Sequence, residues 1–275
     1  MTLPLVGFYL PEFVHLVEEL AKEVQHKQIT DEMMLERRVR RFFTPATIDH
    51  VDSIIPGWRA MASYADGQTL IHTVTVFAAL LMCPEYQQAN ETQRTLMQWI
   101  VLFHDLSKVL IDGKRDPTHS FKSAALAGKL IARFPVETTP VYEEHIAAWV
   151  ALTTSAALPS VEAGSMIQDN SQLPEIMEGI KRMFGEDTPA ALIVKTVLFH
   201  QSINVVVAWP QAAPLTELEI TRYISPTLLP LLTMMMLVDN DAYAFFDEPL
   251  KQGHRAETLA VFSHIGKLLD AADGS

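Results

Sequence analysis

The sequence predicts an all-α fold, and three observations carry the prediction. Apolar residues recur at helical spacing in seven segments: 68–83, 93–111, 120–134, 141–153, 189–200, 226–246 and 256–270. Helix-start signals punctuate the chain. Thr44-Pro45, Asp116-Pro117 and Ser225-Pro226 each pair an N-cap side chain with proline at the first helical position, and Thr216 and Glu219 have capping-box spacing. Strand character is confined to "NVVVAW" at 204–209, and no partner strand is evident.

The elements group into three stretches. Residues 1–55 read as a charged helical N-terminal extension, in which Pro11 opens an amphipathic segment to about Val24. The run "LERRVRRFF" at 35–43 follows, and its four arginines read as a solvated helix face. Residues 56–246 hold the main core. Within them, 155–173, rich in Ser, Ala and Gly, is expected to form a mobile loop or lid. Residues 247–275 are expected to supply a C-terminal helix packed on that core.

Composition bounds the function. The 275 residues suffice to bury a sizeable core, and 49% hydrophobic with 20% charged residues is ordinary for a globular chain. The formal net charge of −12 argues against duplex nucleic acid as a partner, because phosphate contacts need a basic stripe. The single cysteine, Cys83, excludes an intrachain disulfide, fits a reducing cytoplasmic setting and reads as a buried small hydrophobe. The N-terminus lacks a basic start and a small-residue cleavage site, so no signal peptide is expected. Polar residues and two prolines interrupt the longest uncharged stretch, Thr196 to Thr216, so no membrane span is expected.

One stretch does not fit a plain core. "WIVLFHDLSKVL" at 99–110 is apolar almost throughout, yet carries His104 and Asp105 in its middle. A helix that is apolar all round is buried, and an unpaired buried carboxylate costs several kcal/mol, so Asp105 must be neutralised, paired or metal-bound. Lys108, at i+3, shares its face and is either a counter-charge or a phosphate-binding cation. Two other apolar helices carry one similar intrusion each: His72 in "TLIHTVTV" and Asp239 in "MMLVDND".

The order His72, then His104-Asp105 followed by Lys108, then Asp239, resembles the HD-domain superfamily of metal-dependent phosphohydrolases over roughly residues 65–246. The resemblance implies an all-α HD-domain-like bundle in which His72, His104, Asp105 and Asp239 hold one divalent ion. "THSFKSAALAG" and the end of "LIVKTVLFHQS" look like the positions that bind a second ion in two-metal members of the superfamily. This implies further ligands at His119 and His200, the rival reading being a contact to substrate phosphate. His145 reads as structural; His15, His26, His50, His254 and His264 read as surface or packing residues. Asp241 points to another face than Asp239.

With one or two ions bound, the implied chemistry is hydrolysis of a small phosphate ester by metal-activated water, with Asp105 bridging the ions and Lys108 neutralising phosphate. The imidazole-rich donor set favours Mn, Fe, Co, Ni or Zn over Mg. Lys114 and Arg115 beside His119 read as a solvated turn. The implied partner is a small phosphorylated metabolite or nucleotide, and the sequence leaves the ester and the oligomeric state open. Two other readings share the ligand set or the bundle: a mixed-valent di-iron oxygenase and a catalytically silent signalling or interaction module. The chain lacks both the "GYP" extension of the cyclic-dinucleotide phosphodiesterases and the nucleotidyltransferase domain of the tRNA-processing relatives.

Overall fold

A computed structural model describes residues 3–108, 110–111, 114–115, 119–156, 160–162, 165–167, 170–206 and 214–273. The fold is all-α. Its helices are α1 (Pro11–Gln25), α2 (Glu32–Phe42), α3 (Pro45–Ile54), α4 (Trp58–Ser63), α5 (Gln68–Met82), α6 (Pro84–Gln88), α7 (Glu91–Phe103), α8 (His119–Ile131), α9 (Tyr142–Ala156), α10 (Leu173–Phe184), α11 (Pro189–Phe199), α12 (Glu217–Tyr223), α13 (Leu229–Tyr243) and α14 (Glu248–Asp273). Two minimal antiparallel hairpins decorate the loops: β1 (Leu110–Ile111) with β2 (Lys114–Arg115), and β3 (Ser160–Glu162) with β4 (Ser165–Ile167). Strands this short close turns and do not form a layer.

Helix α7 lies at the centre and packs on α5, α11 and α13, while α13 also packs on α5, α11 and α14. On the far side α8 rests against α11 and α9, and α10 closes over α9 and α11. The N-terminal stretch is built into this core. Trp99 Nε1 donates to Pro4 O at 2.8 Å, Val6 N donates to Gln98 Oε1 at 3.1 Å, and the Phe13 ring meets Trp58 and Phe77 edge-on. Two of the arginines in its 35–43 run meet carboxylates: Arg38 pairs with Glu19 and Glu23, and Arg40 with Glu36.

Several local expectations are met. Thr44 caps α3 with Pro45 at its first turn, and Thr216 and Glu219 close a reciprocal capping box on α12. Cys83 and Met234, Met235 and Met236 are core residues. Others are corrected. Helix 93–111 stops at Phe103, for a reason given below. The helix expected from Pro226 starts at Leu229, and 226–228 form a turn capped by Ser225. A start at Pro226 would place Pro230 inside the helix, where its ring meets the carbonyl four residues back; starting at Leu229 puts it in the tolerant first turn. The stretch "NVVVAW" forms no strand at 204–206, and 207–209 lie outside the described residues. Asp116-Pro117 also lies outside them. The 155–173 segment contains the β3–β4 hairpin and a 3-10 turn at Asn170–Gln172; its residues 157–159, 163–164 and 168–169 lie outside the described residues.

One helical run, Trp58–Met82, has the length and apolarity of a membrane span. It is mostly buried in the core and is broken where Ala65, Asp66 and Gly67 turn left-handed (φ 47°, 54° and 84°).

Candidate metal centre

The predicted ligands come from five helices and meet in one place. His72 lies mid-α5 and Asp239 mid-α13; His104 ends α7, His200 ends α11 and His119 opens α8. The histidine at the end of α7 explains why that helix stops. His104 Nδ1 donates to Val101 O at 2.7 Å, occupying the carbonyl that the next backbone N–H of a continuing helix would need. Asp105 to Ser107 then form a turn. At the end of α11 the same device recurs, with His200 Nδ1 donating to Val197 O at 2.7 Å. In both rings the Nδ1 proton is thereby fixed, which leaves Nε2 as the lone-pair nitrogen aimed inward.

Asp105 stands between two groups of donors. Its Oδ2 lies 3.4 Å from His104 Nε2, 3.6 Å from His72 Nε2 and 2.5 Å from Lys108 Nζ. Its Oδ1 lies 2.9 Å from His119 Nε2 and 3.9 Å from His200 Nε2. His72 Nε2 is also 2.9 Å from Asp239 Oδ1, which is 4.0 Å from His104 Nε2. One donor atom from each of His72, His104 and Asp239 lies within 4.8 Å of the others, and so do those of Asp105, His119 and His200.

The electrostatics suit a cation. Burial pushes His72 below its ordinary pKa, helped by the Lys108 charge. Burial likewise drives His200 down to about 3, with His104 and His119 adding to it. For His104, burial is outweighed by the adjoining Asp105 carboxylate, which raises it. Burial opposes ionisation of Asp105, yet Lys108 and then His104 and His119 hold its carboxyl well below the usual range. Asp239 is also held low, against burial, by its bond to His72.

A fit test is available in the buried polar atoms. His104 Nε2 and His200 Nε2 are sealed from solvent and make no hydrogen bond, and Asp105 Oδ1, likewise sealed, makes none beyond its 2.9 Å ion pair with His119. Leaving one such group unmet costs about 1–3 kcal/mol, and three converging on one place is the arrangement a shared cation resolves. Helices α7 and α11 also direct their negative C-terminal ends here. These buried His/Asp clusters can hold a metal ion.

The remaining candidates fall elsewhere. Asp241 faces away from the centre and accepts from Arg255 at 2.7 Å. His145 lies on α9, outside both donor groups. Lys114 and Arg115 form β2, and their side chains lie outside the described residues.

Sequence reasoning missed the walls of the adjoining cleft, where Tyr64, Tyr243, Phe245 and Phe246 gather beside His72 and Lys108. One signal pointed to them: Tyr243 stands four residues after Asp239, on the same helix face. In comparisons with known proteins, no family model, no curated protein and no solved structure matches this chain.

Proposed function

We propose that the chain is a metal-dependent phosphohydrolase of the HD type, acting on a small phosphate ester. The observation that carries this reading is the placement of Asp105, one carboxylate oxygen toward each of two donor groups. A carboxylate so placed suits a pair of divalent ions, and the donor set of four imidazoles and two carboxylates favours Mn, Fe, Co, Ni or Zn. His72, His104, Asp105 and Asp239 would hold one ion, and Asp105, His119 and His200 a second. When bound, such ions lower the pKa of a coordinated water toward neutrality and polarise phosphoryl oxygens.

The protein's own groups have separable duties. Asp105, whose carboxyl Lys108, His104 and His119 hold below the usual range, would act as a ligand and an orienting charge. Lys108, 8% exposed and bordering the cleft, supplies positive charge to an incoming phosphate oxygen. The Val101 and Val197 carbonyls hold the His104 and His200 rings in register and fix their tautomer. Cys83 is no candidate nucleophile: it is buried, and burial with its bond to Glu85 pushes its thiol up to about 11. Transfer goes directly to water.

Elemental analysis of the purified protein, joined to a phosphatase and phosphodiesterase panel on wild type and His104→Ala, tests the reading. The expected result is one to two equivalents of transition metal and a hydrolysis that His104→Ala abolishes. Two irons with a charge-transfer absorption and no phosphoester turnover point instead to an oxygenase. Less than one equivalent of metal and no turnover point to a silent module.

A further inference from the structure

The cleft beside the metal centre carries information about what bears the phosphate. It measures about 430 Å³, within the range of small-molecule sites. His72 and Lys108 form its inner end, so it opens onto the donor cluster. Its sides are Tyr64, Tyr243, Phe245 and Phe246. The Tyr243 ring lies over His72 with centroids 4.7 Å apart and planes 35° from parallel, leaving the phenol at the boundary between cluster and cleft.

The outer rim has the opposite charge to the inner end. It is formed by α2, which contributes Glu32 and Glu36. Glu36 is paired with Arg40, which also donates to Asp66 O at 2.6 Å and so ties the rim to the left-handed turn that presents Tyr64. Glu32 makes no ion pair among the described residues. Lys108 is the only Lys or Arg among the described residues lining the cleft.

This polarity restricts the ligand. One phosphate finds compensation at the inner end. A second, further out, meets rings and then carboxylates. A planar apolar group fits between the aromatic walls, where offset and edge contacts are favourable. A positive or N–H-bearing edge on that group reaches Glu32. We infer that the cleft selects monophosphate esters of a planar aromatic group with a cationic or hydrogen-bond-donating outer edge, and disfavours polyphosphates and esters ending in a carboxylate. This inference rests on the phosphohydrolase reading above.

Hydrolysis-resistant phosphonates test it by calorimetry on the metal-loaded protein, with metal content measured for every variant. The probes are methylphosphonate, benzylphosphonate, 4-(aminomethyl)benzylphosphonate and 4-carboxybenzylphosphonate. Benzylphosphonate is expected to bind about tenfold tighter than methylphosphonate. The aminomethyl probe gains about threefold more and the carboxyl probe loses about threefold. Glu32→Gln, an exposed change at the start of α2, removes the amino-versus-carboxyl difference and keeps the benzyl preference. Tyr243→Ala removes the benzyl preference, read as the ratio of benzylphosphonate to methylphosphonate affinity at equal metal content. Equal affinity for all four probes overturns the inference and leaves the phosphate chemistry standing. Discrimination that survives both substitutions overturns it as well. Failure of every probe to bind, methylphosphonate included, overturns the phosphohydrolase reading and the inference together.

Discussion

Asp105 is the side chain on which the two donor groups meet. It is 1% exposed, yet it holds contacts with four other ionisable groups within 3.6 Å. Replacing it with Asn keeps the shape and removes the charge that balances Lys108. On the phosphohydrolase proposed above, Asp105→Asn is expected to lower kcat/KM by on the order of 10³-fold and to reduce bound metal, read by steady-state assay and elemental analysis. Cys83 gives a second residue-scale prediction. Its folded pKa, about 11, lies above the ordinary thiol value, so the folded state retains the proton where the unfolded chain has lost it. The resulting stability is complete below the unfolded pKa and is lost as pH rises from there toward 11. Native protein should resist iodoacetamide at pH 8, and Cys83→Ala should flatten the loss of stability between pH 9 and 11 in urea melts. At this scale the sequence was informative about residue identity. His72, His104, Asp105, His119, His200 and Asp239 were all legible as polar intrusions or matched positions, and they converge. What could not be read was ring orientation, because the Val101 and Val197 carbonyls claim Nδ1 only once each helix has ended.

Elements differ in how openly they announce themselves. Periodicity placed α5, α8, α9 and α11 to within a few residues, since their apolar patterns are long. It overran α7, whose apolar pattern continues past the point where the backbone turns. It passed over α10, although Leu173, Ile176, Ile180, Met183 and Phe184 form a helical stripe. Close helix contacts are also hidden in sequence. Trp149 donates to Ile176 O at 2.9 Å and lies between two glycines, one on α8 and one on α10. A methyl at Gly128 would stand 2.7 Å from the Trp149 ring, and one at Gly179 would overlap it from the other side. With the ring confined on both sides, Gly179→Ala should destabilise by about 1–3 kcal/mol in denaturant melts. The turn before α5 predicts the reverse sign. Ala65 sits at φ 47°, ψ 48°, a left-handed conformation that glycine adopts without the Cβ penalty. Ala65→Gly should therefore be neutral or stabilising by up to about 1 kcal/mol, whereas Gly67→Ala, at φ 84° and 3.3 Å from Arg40, should destabilise by about 1 kcal/mol.

At the scale of the whole molecule, the donor cluster and the core are one construction. Five helices must dock before six donor atoms converge, so a cation that binds only the docked state stabilises the fold by mass action. Dialysis against a chelator should lower Tm, and restoring the metal should recover it; His104→Ala should show a smaller response. At a free metal concentration a hundred times Kd the difference amounts to about 2.7 kcal/mol. The all-α class was legible throughout, whereas the anchoring of the N-terminal extension on the core was not. Pro4 is tied to Trp99 and Phe13 to Phe77, partners too distant in the chain for a local pattern to reveal.

The two inward-facing imidazoles take their aim from a carbonyl three residues earlier in their own helix. A histidine and the carbonyl three residues before it thus settle the direction of each donor nitrogen within one helical turn.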